Sequence, residues 1–341
     1  MRVAVDVTPL LGARTGIGQT VEGLLGALPP EVEVVPWVLS ARGPVPAGAR
    51  RLPLPAGVAL RLWGRMDLPA ADRWLGDVDV VHGTNYTVPP MRGRPTTVTV
   101  NDCWCARHPG SCPPAIAALT PVVQRAVRRG AWVHATTEWG AGEVREIYGV
   151  DPERVVVVPF GVPPVGPPPA PVDGPPFVLA LGRMEARKGL DALVEAFASV
   201  DPSVELVLAG PDGGAAPEPS PRVRVLGPVP DEERRRLLHS ASVLAYPSLE
   251  EGFGFPVLEA FAAGTPVVTT TAGALPEVAG DAALLVPPGD ADALADAIER
   301  VLHDDALRVR LVAAGRARAA SFSWERHATG MVDLWRRASA A

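Results

Sequence analysis

Short apolar runs heavy in valine recur along this chain, and a helical pattern follows nearly every one. Residues 2–7, 32–39, 78–82, 96–100, 132–136 and 155–159 read as strands, with helices expected at 19–28, 60–75, 115–129 and 138–148. The alternation restarts with strands at 177–181, 204–209, 223–226, 243–246, 267–270 and 283–286. Helices are expected there at 189–200, 231–240, 256–263, 292–302, 306–319 and 324–339, with Asp231 as a candidate cap. Buried strands alternating with helices predict parallel sheets covered on both faces. Eight of the fourteen residues 163–176 are proline, which neither a helix nor a central strand tolerates. The expected organisation is α/β: a domain over 1–162, a stiff linker over 163–176 and a second domain over 177–322.

Composition narrows the function. Net charge is −6, so a basic nucleic-acid binder is disfavoured. No run of about 18 apolar residues suggests a membrane span. Asp6 interrupts the first apolar run, which therefore reads as a strand and not as a secretory signal. Among 32 basic residues only Lys188 is lysine, and Asn85 and Asn101 are the only asparagines.

Ligands of parallel α/β sheets bind beyond the carboxyl ends of the strands, and two such domains place the default site in a cleft between them. The polar signals fall in those loops. Gly182-Arg183-Met-Glu-Ala-Arg-Lys188-Gly189 follows a strand and opens a helix. Arginine offers a planar fork and lysine a point charge, which together suit a diphosphate. A second strand-to-helix string contains Glu251-Gly252-Phe253-Gly254-Phe255-Pro256 and then Glu259. Its glycines bare the backbone, and its two carboxylates can accept hydrogen bonds from sugar or ribose hydroxyls.

These two strings, with Gly264-Thr-Pro-Val-Val268 and the Gly16-Ile-Gly18 loop, resemble the retaining GT-B glycosyltransferases of family 4, the group 1 glycosyl transferases. The resemblance covers nearly the whole chain and is stronger in its second half. It implies two Rossmann-like domains facing across a cleft, with a GDP- or UDP-linked sugar held by the second. Arg183 and Lys188 would bind the diphosphate. Glu259 would hold the ribose, and Glu251 with the backbone of Gly252, Phe253, Gly254 and Phe255 the transferred sugar. Gly16 and Gly18 would line the cleft. The last helix would return to the first domain. The implied reaction is retaining transfer to a hydroxyl of a carbohydrate, lipid or small-molecule acceptor, as by a mannosyl- or glucosyltransferase, without metal or other cofactor. A nucleotide-sugar epimerase and a non-catalytic sugar-nucleotide-binding subunit stand as alternatives.

The first domain departs from the pattern at one point. Family members often carry His-Asp after the strand at 96–100, whereas this chain has Asn101-Asp102. An amide can position a hydroxyl but cannot relay a proton near neutrality. His82 ends another strand, and both a reactive and a packed role are open for it. The expected catalytic set is Asn101, Asp102 and His82. The glycine loop lacks the third glycine of a dinucleotide fingerprint, Val21 standing in its place, which argues against an NAD enzyme. Cys103, Cys105 and Cys112 are odd in number and clustered, so they read as ordinary thiols in a reducing cytoplasm, with peripheral contact at the inner membrane face left open. A zinc site with His108 is the lesser reading. Asp77–Asp79 and Asp290–Asp292 look unsuited to a metal-bound diphosphate, the first at a strand start and the second at a helix N-terminus.

Overall fold

A computed structural model describes residues 1–12, 16–163, 165–167, 169–170 and 172–341. It divides into two compact units, residues 1–161 with 323–341, and residues 162–322.

Unit 1 is built on seven strands: β1 (Arg2–Asp6), β2 (Glu33–Leu39), β3 (Arg50–Leu52), β4 (Val80–Gly83), β5 (Thr96–Val100), β6 (Trp132–Ala135) and β7 (Val155–Val157). They pair in the order 3-2-1-4-5-6-7, every pair parallel. Valine and threonine dominate them because β-branched side chains suit a pleated surface packed on both faces. Their helices are α1 (Gly16–Ala27), α2 (Ala56–Trp63), α3 (Asp72–Leu75), α4 (Trp104–Arg107), α5 (Pro114–Ala117), α6 (Thr120–Arg128) and α7 (Glu138–Tyr148).

Unit 2 carries β8 (Phe177–Leu181), β9 (Glu205–Ala209), β10 (Val223–Gly227), β11 (Val243–Tyr246), β12 (Val267–Thr270) and β13 (Leu284–Val286). Their order is 10-9-8-11-12-13, again parallel throughout. The helices are α8 (Leu190–Phe197), α9 (Asp231–Ser240), α10 (Phe255–Ala263), α11 (Leu275–Ala279), α12 (Ala291–His303) and α13 (Asp305–Ala320). The chain enters and leaves this unit at neighbouring points, since Val162 N–H donates to the carbonyl of Phe322 at 2.9 Å.

The final helix, α14 (Trp324–Ala340), belongs to unit 1. Its Met331, Leu334 and Trp335 are buried with Val3, Val5 and Val80 in one apolar cluster. Ser323 caps it by accepting from the N–H of Arg326.

Several local expectations need correction. The helix expected over 60–75 is two short helices separated around Leu68–Pro69, because proline restrains the residue before it and supplies no N–H. The one expected over 115–129 is likewise broken between Ala117 and Thr120, just before Pro121. Gly16 and Gly18 lie in the first turn of α1 and not in a loop; Ala13, Arg14 and Thr15 of the expected loop lie outside the described residues. Asp231 does not cap α9; Pro230 takes that position and Asp231 lies in the first turn, where its charge complements the dipole. The strand β3 and helix α11 were not expected, being three and five residues long.

Candidate active site

In each sheet the strand order reverses direction at one point, which is where such sheets bind ligands. In unit 2 that point lies between β8 and β11. The Lys188 loop follows β8 and the Glu251 loop follows β11, so topology alone brings the two strings together.

Contact between them is close. Gly189 sits at φ +64°, and a Cβ there would meet the carbonyl oxygen of Pro247 at 2.2 Å. Only glycine allows both that conformation and that approach. Lys188, 9% exposed, donates through Nζ to the Tyr246 hydroxyl at 2.7 Å and forms an ion pair with Glu251 Oε2. Tyr246 in turn donates to the same Oε2 at 2.7 Å, and Arg187 Nη1 lies 3.7 Å from Oε1. Burial works to raise the pKa of Glu251, but Lys188 and Arg187 outweigh it and hold the carboxyl at about 2. Glu251 is therefore an anion at neutral pH and can only accept hydrogen bonds. Burial works to lower the Lys188 pKa; Glu251 reverses that and leaves it raised.

The rest of the string is arranged for its backbone. Phe253 is buried, its ring 4.9 Å from that of Phe255 and 5.9 Å from that of Phe322. Gly252 and Gly254 are buried beside it, and Gly254 is the N-cap residue of α10 at φ +91°. Glu259 lies in that helix, buried and ion-paired with Arg234. Burial raises its pKa, with Arg234 only partly offsetting. Arg183 is more exposed and lies 3.4 Å from Glu185. Size alone does not choose the site: a 640 Å³ cavity opens at Pro176, Ser242 and Pro266, before the strands and away from these loops.

In unit 1 the candidates separate. Asn101 and Asp102 follow β5 and are half-buried, and Asp102 N–H donates to the Tyr86 hydroxyl at 2.9 Å. His82 is not with them. It is 1% exposed, with its ring 5.6 Å from that of Trp335 in α14. The expectation that it reaches a reacting sugar is corrected, because no face of the ring is open.

A hydrogen-bond chain accounts for it. His134 Nε2 lies 2.8 Å from the carbonyl of Val158, so that nitrogen carries the proton and Nδ1 accepts from Thr99 at 2.9 Å. The Thr99 proton being used, His82 Nε2 donates to Thr99 Oγ1 across 3.4 Å and His82 Nδ1 accepts from Thr97 at 2.8 Å. These tautomers are assigned from the network. Burial drives the pKa of His82 well down, and that of His134 to about 4.

Two features escaped the sequence reading. Asp6, at the carboxyl end of β1, is 3% exposed, and burial raises its carboxyl to about 7. Cys105 and Cys112 form a disulfide, which overturns the reading of three ordinary thiols; Cys103 is buried and not disulfide-bonded. The bond also leaves no three-thiolate set for zinc, and among the described residues no group of three His, Cys, Asp or Glu side chains converges as a metal site. Asp77 and Asp79 accept from Arg94 and from the N–H of Arg2, and Asp290 caps α12.

The sequence profile of the group 1 glycosyl transferases matches residues 167–318, and that of glycosyltransferase family 4 matches residues 14–165. A D-inositol 3-phosphate glycosyltransferase of Salinispora arenicola is 30% identical over 368 residues, covering 92% of this chain and 81% of the relative. Another, from Xylanimonas cellulosilytica, is 34% identical over 316 residues, covering 82% and 70%. The chain belongs to glycosyltransferase family 4. It is thus a retaining glycosyltransferase that takes its sugar from a nucleotide sugar. Escherichia coli O-antigen chain mannosyltransferase B is 37% identical over 173 residues, a match spanning 47% of this chain and 45% of that one. The GT-B fold is shared with sucrose-phosphate synthase of Thermosynechococcus elongatus, at TM-score 0.76 and 22% identity, covering 99% of each chain. Anabaena HepE, in complex with UDP and glucose, matches at TM-score 0.73 and 16% identity, covering 99% of this chain and 100% of that one. Among the described residues no helix is long and apolar enough to cross a membrane.

Proposed function

We propose that the enzyme transfers a hexosyl group, mannosyl or glucosyl, from a GDP- or UDP-linked donor bound by unit 2 to a hydroxyl of an acceptor bound by unit 1. The observation that carries this reading is the junction of Lys188, Tyr246 and Glu251 where the β8 and β11 loops meet. A cation and an ionised carboxylate side by side suit the two ends of a sugar diphosphate. Lys188, with Arg183, neutralises the diphosphate; Glu251 accepts from sugar hydroxyls; the N–H groups from Gly252 to Phe255 line the donor; Glu259 takes the ribose. Binding exchanges the Lys188–Glu251 pair for donor contacts.

Retention follows if the acceptor oxygen attacks the anomeric carbon on the face that the diphosphate leaves. The carbon–oxygen bond to phosphate breaks as the new one forms, and the departing phosphate oxygen takes the hydroxyl proton. No side chain need supply a nucleophile or a proton, and Glu251, held ionised at neutral pH, has no proton to give. Asn101 and Asp102 position the acceptor and reacting sugar. Relatives named as mannosyltransferases support a hexosyl donor, and HepE, with UDP and glucose, supports a uridine one. Cationic side chains and helix ends supply the charge that a metal would otherwise bring.

A thermal-shift panel of GDP-, UDP- and ADP-sugars tests the donor, since a ligand that binds only the folded state raises its stability. One GDP- or UDP-hexose is expected to stand out and to be turned over equally with and without EDTA. No shift with any of them would remove the donor assignment. Turnover abolished by chelation and restored by Mg²⁺ or Mn²⁺ would remove the metal-free mechanism.

A further inference from the structure

The chain's two asparagines meet. Asn85 follows β4 and Asn101 follows β5, which are adjacent parallel strands. Asn101 Nδ2 donates to Asn85 Oδ1 at 3.2 Å, and both side chains are half-buried. Among the described residues no other hydrogen bond uses either side chain. The pair therefore leaves one amide oxygen, an acceptor, and one NH₂ group, a donor, without a partner among those residues. Reversing both amides would exchange which residue offers which and leave the same unpartnered pair.

The backbone around them is fixed. Tyr86 sits at φ +54°, rare for a residue with a Cβ, and its N–H donates to the carbonyl of Thr99 at 2.9 Å. Its hydroxyl accepts from the N–H of Asp102 at 2.9 Å. Each asparagine is thus next to a residue tied to the other strand. At Gly83 a Cβ would meet the carbonyl of Thr87 at 1.8 Å, so the turn carrying Asn85 folds tightly over its strand end.

We infer that Asn85 and Asn101 act as one uncharged pair that reads adjacent hydroxyls of a polyol acceptor. A ring hydroxyl both donates and accepts, so two neighbouring hydroxyls complement an amide oxygen beside an amide NH₂. Neither amide titrates in the neutral range. The inference rests on the reading of unit 1 as the acceptor side, and adds Asn85 as a specificity-determining residue.

Selective ¹⁵N-asparagine labelling suits the test, because only two side-chain NH₂ signals arise. Asn101→Ala deletes one and assigns the other. Methyl α-mannoside and myo-inositol are titrated with GDP or UDP present, up to roughly 100 mM, where millimolar binding saturates. Both signals are expected to move with one shared dissociation constant for at least one polyol. Asn85→Ala is expected to weaken that polyol at least about tenfold, while nucleotide affinity stays unchanged. Asn85→Asp keeps an acceptor for Asn101 Nδ2 and removes the unpartnered donor; it should stay folded, bind nucleotide and lose the polyol. Silent asparagine signals with both polyols, or variants that leave polyol affinity within twofold, would overturn the inference. Nucleotide binding, followed separately by thermal shift, distinguishes this from failure of the donor reading.

Discussion

Lys188 and Glu251 are each other's counter-ion, with the Tyr246 hydroxyl bonded to both. The sole lysine thus helps hold the ligand-free loops in place. Removing it should act on folding and on binding, and the two effects can be separated.

Lys188→Met leaves a buried carboxylate with Arg187 as its remaining cation. Stability in urea should fall by about 3 kcal/mol, the lower end for breaking a buried pair. Nucleotide affinity should fall at least about tenfold with the lost phosphate contact. Adding Glu251→Gln should restore much of the stability and none of the affinity. Recovery of nucleotide binding in the double variant would show that Lys188 serves the fold alone.

Glu259→Gln removes a carboxylate that burial already disfavours, so the unfolding midpoint should change little. If Glu259 holds the ribose, UDP or GDP should bind about tenfold more weakly while pyrophosphate binds as before. Equal weakening of both ligands, measured by calorimetry, would count against a ribose contact.

Asp6 and two histidines of unit 1 set opposite limits on pH stability. The Asp6 carboxyl is raised from 3.8 to about 7, so the folded state prefers it protonated and loses stability as pH rises between those values. His134 and His327 are lowered to about 4 and about 3, mainly by burial. The unfolded chain takes up their protons below about 6.5 while the folded chain does not, so stability falls as pH drops from there towards 3. Asp6→Asn should raise the melting temperature at pH 8, by on the order of 5 °C, and leave it unchanged near pH 3.5. A gain of equal size at both pH values would contradict the buried-acid account.

Thiol counting tests the disulfide. Without reductant the native chain should show no reactive thiol, the unfolded chain one, Cys103, and the reduced unfolded chain three. Three thiols before reduction would restore the reading of unpaired cysteines.

Elements with a sustained apolar rhythm were legible from sequence, as was the place of the Lys188 and Glu251 strings between strand and helix; that the two strings touch follows from the adjacency of β8 and β11. What escaped depends on neighbours distant in the chain. Nothing near His82 announces that Trp335 will cover it, so a strand-end histidine looked accessible. Asn85 and Asn101 stood out only as the two asparagines, and their contact became visible once β4 and β5 lay side by side. The odd cysteine count argued against a disulfide that the turns around His108 bring together. Short elements such as β3 and α11 carry too few residues for any period to stand out.

The hydrogen bond from Val162 to Phe322 bears on how unit 1 is assembled. Val3 and Val5 are covered by residues of α14 that lie more than 300 positions later in the chain. Closing so long a segment as random coil would cost entropy and slow the search for that contact. Once unit 2 has folded, the intervening 161 residues act as a short tie whose two ends are hydrogen-bonded neighbours. On a ribosome, unit 2 would then be complete while the α14 side of the first sheet still lacked its cover. Until Trp335 arrives, that apolar face of the nascent chain is open to aggregation or to a chaperone.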